Sequence, residues 1–298
     1  MSADIRIVEV GPRDGLQAEA VSLPAAVRAE LIERLIGAGL RSIEVGSFVS
    51  PRVPQMADTA GVLARLPRSG AATFAALVPN LQGLEAALAA GVDEIAVFAS
   101  ASESFSQRNI NCSIAESIAR FRPIFARLGG KLPVRGYVSC AFGCPYEGAV
   151  ALSAVTGLAA RLTDLGCFEV SVADTIGVAT PRAAKAVASA VAGEIGAGRV
   201  ALHFHDTRGQ ALANIYAGIE AGITSFDSSV AGLGGCPFAA GATGNVATED
   251  VAYMLQGMGL STGIDLPALI EAGEFVSRHL GRRTESRVAR AERARAAA

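Results

Sequence analysis

Short, β-rich apolar runs alternate with longer alanine- and leucine-rich stretches along most of this chain. The longer stretches have helical apolar periodicity and predict helices at residues 25–38, 81–90, 113–128, 153–165, 181–192 and 210–221. The short runs predict eight strands, at residues 5–10, 42–45, 72–78, 94–99, 134–140, 168–173, 200–205 and 225–230. Strands that alternate with helices indicate a parallel sheet, and eight such units close a (β/α)8 barrel, the TIM barrel.

Local signals support these boundaries. Thr180 and Pro181 form a typical helix start. A doubly wound open sheet is the alternative architecture, but no Gly-x-Gly-x-x-Gly sequence follows the first strand. Residues 266–280 predict one additional C-terminal helix, and residues 282–298 form a polar Arg/Ala/Glu tail, for which a frayed helix is the alternative. We expect residues 1–298 to form one TIM-barrel domain.

Composition excludes several functional classes. Of the 298 residues, 51% are hydrophobic and 18% are charged, which is enough apolar material for a large core. The net charge of −2 provides neither the basic footprint of a nucleic-acid-binding protein nor a polybasic membrane signal. The N-terminal segment lacks a signal-peptide core, and no apolar run reaches the ~18 residues of a membrane span. We therefore expect a soluble cytoplasmic protein that binds neither nucleic acid nor membranes.

One of the five cysteines has neighbours that suggest chemistry. Cys112, Cys140, Cys144 and Cys167 are scattered, and no second cysteine pair completes a zinc site. Cys236, in contrast, lies within residues 230–245, which contain five glycines. Glycine permits positive φ angles and close approach to a ligand, so the segment favours a mobile loop that carries a reactive thiol. A small-residue connector with a buried, inert cysteine is the alternative.

Polar side chains fall at the carboxyl ends of five predicted strands, which is where such barrels carry their chemistry. They are Arg13 and Asp14 after the first strand, Glu44 on the second, Asp174 on the sixth, His203 and His205 on the seventh, and Cys236 and Asn245 after the eighth. A surface ion pair is the alternative interpretation of Arg13 and Asp14. Glu44 and Asp174 fit equally well as residues that orient a ligand or as ordinary strand-end polar residues.

His203 and His205 are the candidate metal ligands. Residues at positions i and i+2 of a strand face the same way, so both imidazoles can point into the barrel mouth. Two hydrogen-bonded polar histidines are the alternative, but the predicted barrel places Asp14 and Asp206 nearby, which favours a cation. With the amide oxygen of Asn245 these groups form a harder donor set than structural zinc sites have, which favours Mg²⁺ or Mn²⁺.

Seven segments together resemble the 3-hydroxy-3-methylglutaryl-CoA (HMG-CoA) lyase family of metal-dependent TIM-barrel lyases. They are VEVGPRDGLQ (8–17), IEVGSFVSP (43–51), NINCSI (109–114), RGYVSC (135–140), ADTIG (173–177), HFHDT (203–207) and GLGGCP (232–237). The likeness extends from about residue 5 to residue 280. The cysteine loop is not shared with the condensing synthases of the same superfamily.

The resemblance implies cleavage of an acyl-CoA tertiary alcohol, HMG-CoA for the parent substrate, into acetyl-CoA and acetoacetate. It implies that a divalent cation, Mg²⁺ or Mn²⁺, is ligated by Asp14, His203, His205 and Asn245. The implied substrate contacts are Arg13, Gln17, Gly234 and Gly235. The implied catalytic groups are Arg13, which stabilises an enolate, Cys236, which protonates it, Glu44, and a general base that is His203 or, as second choice, Asp174. The family also suggests a homodimer.

Three departures from the family pattern concern the acyl pocket rather than the reaction. Ala18-Glu19-Ala20 stands where Asn-Glu-Lys is usual, Val45-Gly46 replaces a threonine-containing pair, and Arg208 replaces an uncharged residue. Citramalyl-CoA and a longer-branched 3-hydroxyglutaryl-CoA are therefore alternative substrates. The loop of Cys236 disfavours a condensing synthase. A non-catalytic barrel that binds acyl-CoA or metal is a remote alternative.

Overall fold

The computed structural model describes residues 5–49, 53–235 and 244–296. Its strands are β1 (Arg6–Glu9), β2 (Ser42–Ser47), β3 (Thr73–Leu77), β4 (Glu94–Ser100), β5 (Val134–Ser139), β6 (Glu169–Asp174), β7 (Val200–Phe204) and β8 (Ser225–Ser228). Each strand is parallel to its neighbours in chain order, and β1 pairs with β8 so that Arg6 lies opposite Ser225. The barrel is closed, and the predicted (β/α)8 fold is confirmed.

Helices surround the barrel. They are α1 (Ala25–Gly37), α2 (Thr59–Leu63), α3 (Leu81–Ala90), α4 (Glu103–Ile110), α5 (Ile114–Leu128), α6 (Leu152–Leu165), α7 (Pro181–Ile195), α8 (Ala211–Glu220), α9 (Thr248–Gly257), α10 (Leu266–Leu280) and α11 (Arg287–Ala296). Each helix expected from the sequence is present with ends within about three residues of the expected ones. The apolar periodicity did not identify α2, α4 or α9.

Capping groups explain several of these helix ends. At the start of α5, the Ser113 hydroxyl accepts a hydrogen bond from the Glu116 N–H, and the Glu116 carboxylate accepts one from the Ser113 N–H, which together form a capping box. The Thr180 hydroxyl accepts a hydrogen bond from the Ala183 N–H before α7. Gly166 ends α6 with a φ of 114°, a backbone conformation that residues with a side chain rarely adopt.

The main apolar core lies between the barrel and its helices. Leu31, Ile32 and Leu35 of α1 are fully buried in one large cluster with the outward-facing residues of the strands. Burial of this layer supplies most of the favourable free energy of folding, because each buried aliphatic side chain contributes about 1.5–3 kcal/mol. The barrel interior is therefore available for polar groups.

Three irregularities at the carboxyl ends of strands shape the barrel mouth. Residues 11–15 form one π-helical turn after β1, in which the Gly15 N–H donates to the Val10 carbonyl over 3.2 Å. β2 extends to Ser47, beyond its expected end, and contains a bulge between Glu44 and Gly46. β7 stops before the expected residue 205. His205 instead forms an isolated antiparallel bridge with Asn245, which returns from the glycine-rich segment.

The polar tail contains an ordered helix that packs near α9. The Asp250 carboxylate accepts hydrogen bonds from the Ser286 hydroxyl (2.6 Å) and from the backbone N–H groups of Arg287 and Val288 at the start of α11. A carboxylate at this end of a helix satisfies N–H groups that lack partners within the helix. None of the helices in the described ranges has the length and apolar character needed to cross a membrane.

Candidate active site

A cavity of about 510 Å³ opens at the carboxyl ends of the strands. Its polar wall includes Arg13, Asp14, Gln17, Tyr137, His203, His205 and Gly235. They come from β5 and β7, from His205 directly after β7, and from the loops after β1 and β8, so the barrel brings together groups that are far apart in the chain. The volume is that of an ordinary small-molecule pocket.

Among the described residues, Asp14, His203 and His205 are the only group of three or more histidine, cysteine or acidic side chains placed to hold a metal ion. One ligand atom from each lies within 4.8 Å of the others. The Asp14 Oδ2 atom is 4.0 Å from His203 Nε2 and 3.9 Å from His205 Nε2. Ligand atoms held this far apart, one carboxylate oxygen and two imidazole nitrogens, leave room for a cation between them.

The protonation states of Asp14 and His205 suit a cation. Burial tends to raise the pKa of Asp14, but the charges of Arg13, His203 and His205 and a hydrogen bond from Asn245 outweigh burial and lower that pKa to about 2. Burial, with the neighbouring His203, lowers the pKa of His205 to about 4. At neutral pH the carboxylate is therefore ionised and the His205 imidazole is neutral, as metal ligands must be.

Asn245 reaches this cluster through its bridge to His205. Its Nδ2 atom donates to Asp14 Oδ2 at 2.9 Å and to the Leu233 carbonyl at 3.2 Å. Its Oδ1 atom is buried and has no hydrogen-bond partner among the described atoms. Ligation of a cation through Oδ1 requires the amide to turn over, a change that exchanges two groups of nearly equal size. Gly234 allows this proximity, since a Cβ there would lie 2.8 Å from Asn245 Nδ2.

Arg13 is buried rather than part of a surface ion pair. Its Nε atom donates to Glu44 Oε2 at 2.6 Å and its Nη1 atom donates to Asp14 Oδ1 at 2.5 Å. Burial disfavours its charge, yet Glu44 and Asp14 raise the pKa of Arg13 above its usual value. The guanidinium also lies 5.5 Å from the centre of the Tyr137 ring. Glu44 lies on the bulged strand β2 and points inward, and its carboxylate therefore orients the guanidinium of Arg13 at the cavity wall.

The structure does not bring Asp174 to the cavity wall. Its two carboxylate oxygens accept hydrogen bonds from the Val178 and Ala179 N–H groups, each at 2.9 Å, and so hold the turn after β6. Burial raises the pKa of Asp174. The neighbouring Thr175 lines the cavity instead. Of the two candidate bases, His203 is the one that lies in the cavity.

The loop of Cys236 is described only at its two ends. Cys236 lies outside the described residues, and its role stays a prediction. Gly235, directly before it, lines the cavity. The two ends of the loop cross closely, since a Cβ at Gly244 would lie 2.7 Å from the carbonyl oxygens of Gly232 and Gly234. The loop thus begins and ends next to Asp14, His203 and His205, the candidate metal-ligand cluster.

Sequence reasoning missed four polar groups close to the site. Tyr137 lines the cavity, Asp227 contacts His203, and Arg135 contacts both Tyr137 and Asp227. Glu9 lies below the mouth and accepts hydrogen bonds from the Gly11 and Val230 N–H groups. A charged residue inside a predicted buried strand was the available signal, because an isolated charge is costly to bury without a partner.

Comparison with known proteins agrees with this geometry. The chain is 55% identical to a Pseudomonas aeruginosa protein named 3-hydroxy-3-isohexenylglutaryl-CoA/hydroxy-methylglutaryl-CoA lyase, over 98% of both chains. It is 52% identical to hydroxymethylglutaryl-CoA lyase of Pseudomonas mevalonii, again over 98% of both. A crystal structure of hydroxymethylglutaryl-CoA lyase from Pseudomonas aeruginosa superposes with a TM-score of 0.96 at 54% identity, covering 99% of each chain. Residues 4–276 match the family model described as HMGL-like, and this chain belongs to that family.

Proposed function

We propose that this chain is a divalent-cation-dependent carbon–carbon lyase that cleaves HMG-CoA into acetyl-CoA and acetoacetate. The observation that carries the proposal is the Asp14, His203 and His205 cluster, with Arg13 beside it, in a cavity that opens next to the loop of Cys236. Near-full-length relatives that carry the name of this activity support the same reaction.

The groups of the site divide the steps of the reaction among them. A base removes the proton of the C3 hydroxyl, the C2–C3 bond breaks as the C3 carbonyl forms, and the electron pair passes to the thioester as an enolate. His203 is our candidate base. The Arg13 guanidinium stabilises the negative charge on the enolate oxygen, as preorganised donors do in such sites. Cys236 then gives its thiol proton to C2, which completes acetyl-CoA.

Asp14, His203, His205 and the amide oxygen of Asn245 would hold the cation, and Mg²⁺ or Mn²⁺ fits this donor set. The cation supplies Lewis acidity that lowers the pKa of the substrate hydroxyl. Gln17, Gly234 and Gly235 are proposed to contact the substrate; Gln17 and Gly235 line the cavity. The homodimer and the cytoplasmic location stay predictions, to be checked by light scattering and by cell fractionation.

A second candidate substrate is a 3-hydroxyglutaryl-CoA with a longer branch at C3. The cavity wall includes an apolar set that an extended alkyl or alkenyl branch could contact, namely Val49, Val53, Leu77, Phe98, Phe105 and Ile110. The name of the Pseudomonas aeruginosa relative includes an isohexenyl substrate, which is consistent with such a wall.

The test is acetyl-CoA release by EDTA-treated enzyme, with and without added Mg²⁺ or Mn²⁺. HMG-CoA, its isohexenyl analogue and citramalyl-CoA are compared at equal enzyme concentration, and a Cys236→Ala variant controls for contaminating activity. We expect fast, metal-dependent cleavage of HMG-CoA. Preference for the isohexenyl analogue would favour the second candidate. A folded, metal-loaded protein that cleaves none of the three thioesters would refute the proposed function.

A further inference from the structure

Beneath the metal-ligand cluster, a polar network connects His203 to the interior of the barrel. Asp227 on β8 is 1% exposed, and its Oδ2 atom lies 3.1 Å from His203 Nδ1. The same oxygen accepts a hydrogen bond from the Ser171 hydroxyl at 2.8 Å, and Oδ1 accepts one from Arg135 Nη2 at 2.7 Å. None of these contacts takes part in the steps of the proposed reaction.

Arg135 is itself held from several sides. Its Nε atom donates to Glu169 Oε1 at 2.6 Å and its Nη1 atom donates to the Tyr137 hydroxyl oxygen at 2.7 Å. The Tyr137 ring meets the His203 ring edge-on, with centroids 6.3 Å apart. The network therefore joins β5, β6, β7 and β8, and the Asp227 carboxylate has little freedom to turn.

The donors around Asp227 determine which nitrogen of His203 carries the proton. A carboxylate that takes hydrogen bonds from an arginine and a serine offers only acceptor atoms to its neighbours. The His203 Nδ1 atom must therefore carry a hydrogen to bond with it. In a neutral imidazole the other nitrogen then has the free electron pair. That nitrogen, Nε2, is the one 4.0 Å from Asp14 Oδ2.

His205 has no comparable partner. Its Nδ1 atom is buried and makes no hydrogen bond to the described residues. The two imidazoles of the cluster are thus supported unequally, and the tautomer of His203 alone is specified by a fixed carboxylate.

We infer that Asp227 is a positioning residue, held in place by Arg135, that keeps His203 in the Nδ1–H form and aims Nε2 at the cation site. Replacement of a carboxylate that orients a ligating histidine in this way typically lowers metal affinity by about 10- to 100-fold. The inference rests on the cation site of the proposed function, but the tautomer of His203 can be measured without any metal or substrate.

Asp227→Asn is the sharpest perturbation because it changes hydrogen-bonding character with little change in shape. The new amide oxygen will face Arg135, since an amide NH₂ there would meet another donor. The amide nitrogen then faces His203 Nδ1 and favours the Nε2–H tautomer, which has no free electron pair at the cation site. Ser171→Ala is the matched control, because it removes a hydrogen bond to Asp227 while leaving the His203 contact in place.

The experiment combines two readouts on the full-length protein. Long-range ¹⁵N–¹H spectra of ¹⁵N-histidine-labelled, metal-free protein at alkaline pH report the tautomers; the chain has only three histidines. The third, His279, has its Nδ1 atom 3.0 Å from the Phe275 carbonyl and serves as an Nδ1–H reference. Titration with Mn²⁺ by calorimetry reports affinity.

We expect His203 to carry its proton on Nδ1 in the unsubstituted protein and in Ser171→Ala. In Asp227→Asn we expect the proton on Nε2 and a Mn²⁺ affinity lowered by about 10- to 100-fold. An Nε2–H signal for His203 in the unsubstituted protein overturns the inference without any variant, as does a folded Asp227→Asn that retains Nδ1–H and its Mn²⁺ affinity. If the unsubstituted protein binds no Mn²⁺, the cation site of the proposed function fails, and the tautomer spectra still decide the role of Asp227.

Discussion

Glu249 provides a quantitative test of how burial controls stability near the loop of Cys236. It is fully buried on α9, and both of its oxygens lie 3.0 Å from the Ala231 N–H, in the turn that leads into the loop of Cys236. Burial, reinforced by the nearby Glu9 and Asp250, raises its pKa from 4.5 to about 8, although the Ala231 N–H opposes the shift. Glu249→Gln keeps the shape and an acceptor oxygen but cannot ionise.

The sign of the effect follows from proton binding. The unfolded chain releases the Glu249 proton above about pH 4.5, whereas the folded protein retains it up to about pH 8. Because the folded state binds more protons across this interval, its stability falls as the pH rises. At ~1.4 kcal/mol for each pKa unit, the loss between about pH 5.5 and about pH 8.5 is about 3 kcal/mol, and Glu249→Gln removes it.

Urea unfolding at several pH values measures this loss directly. We expect the free energy of unfolding of Glu249→Gln, relative to the unsubstituted protein, to rise by about 3 kcal/mol from about pH 5.5 to about pH 8.5. Glu194→Gln, an exposed position on α7, is the control and should show no such trend. Parallel curves for Glu249→Gln and the unsubstituted protein would refute the argument that burial keeps this carboxyl protonated.

Further predictions concern the site and the barrel. Cys236→Ala should lower turnover by about 10²- to 10⁴-fold and leave Mn²⁺ affinity unchanged. His205→Ala should weaken Mn²⁺ binding at least ~10-fold. Equal losses of Mn²⁺ affinity in the two variants, measured by calorimetry, would contradict these separate roles. EDTA treatment should abolish acetyl-CoA release, and added Mg²⁺ or Mn²⁺ should restore it. Gly218→Ala should destabilise by about 1–3 kcal/mol, because its Cβ would lie 2.5 Å from the buried Leu202 Cδ1. A Cβ at Gly157 would have no atom within 4 Å, so Gly157→Ala should stabilise α6 by about 0.5–1 kcal/mol. The urea midpoints of the Gly218 and Gly157 variants should shift in opposite directions, and shifts of the same sign would contradict this reasoning.

The sequence identified the fold because its information is local and repeated. Eight β-rich runs separated by helical periodicity already specify the order of elements, and neighbouring parallel strands with helical crossovers have one common closed arrangement. Helix ends were accessible for the same reason, since the Thr180 cap and the Ser113 capping box act within a few residues. The sequence allowed a frayed helix in the polar tail. It did not show that this helix is ordered, because Asp250 of α9 satisfies its first N–H groups from 37 residues away.

The sequence also placed Asp14, His203 and His205 at one end of the barrel, because residue order along a strand fixes which end each side chain occupies. Only the tertiary structure decided how they are held. The π-helical turn after β1 and the His205–Asn245 bridge depend on the loops that pack against them. The contact of His203 with Asp227 joins two strands. The charges of Asp227 and Arg135 are stable inside the barrel because they pair with each other and because Arg135 also pairs with Glu169. Pairings across the barrel depend on distance in space, which local sequence patterns do not encode.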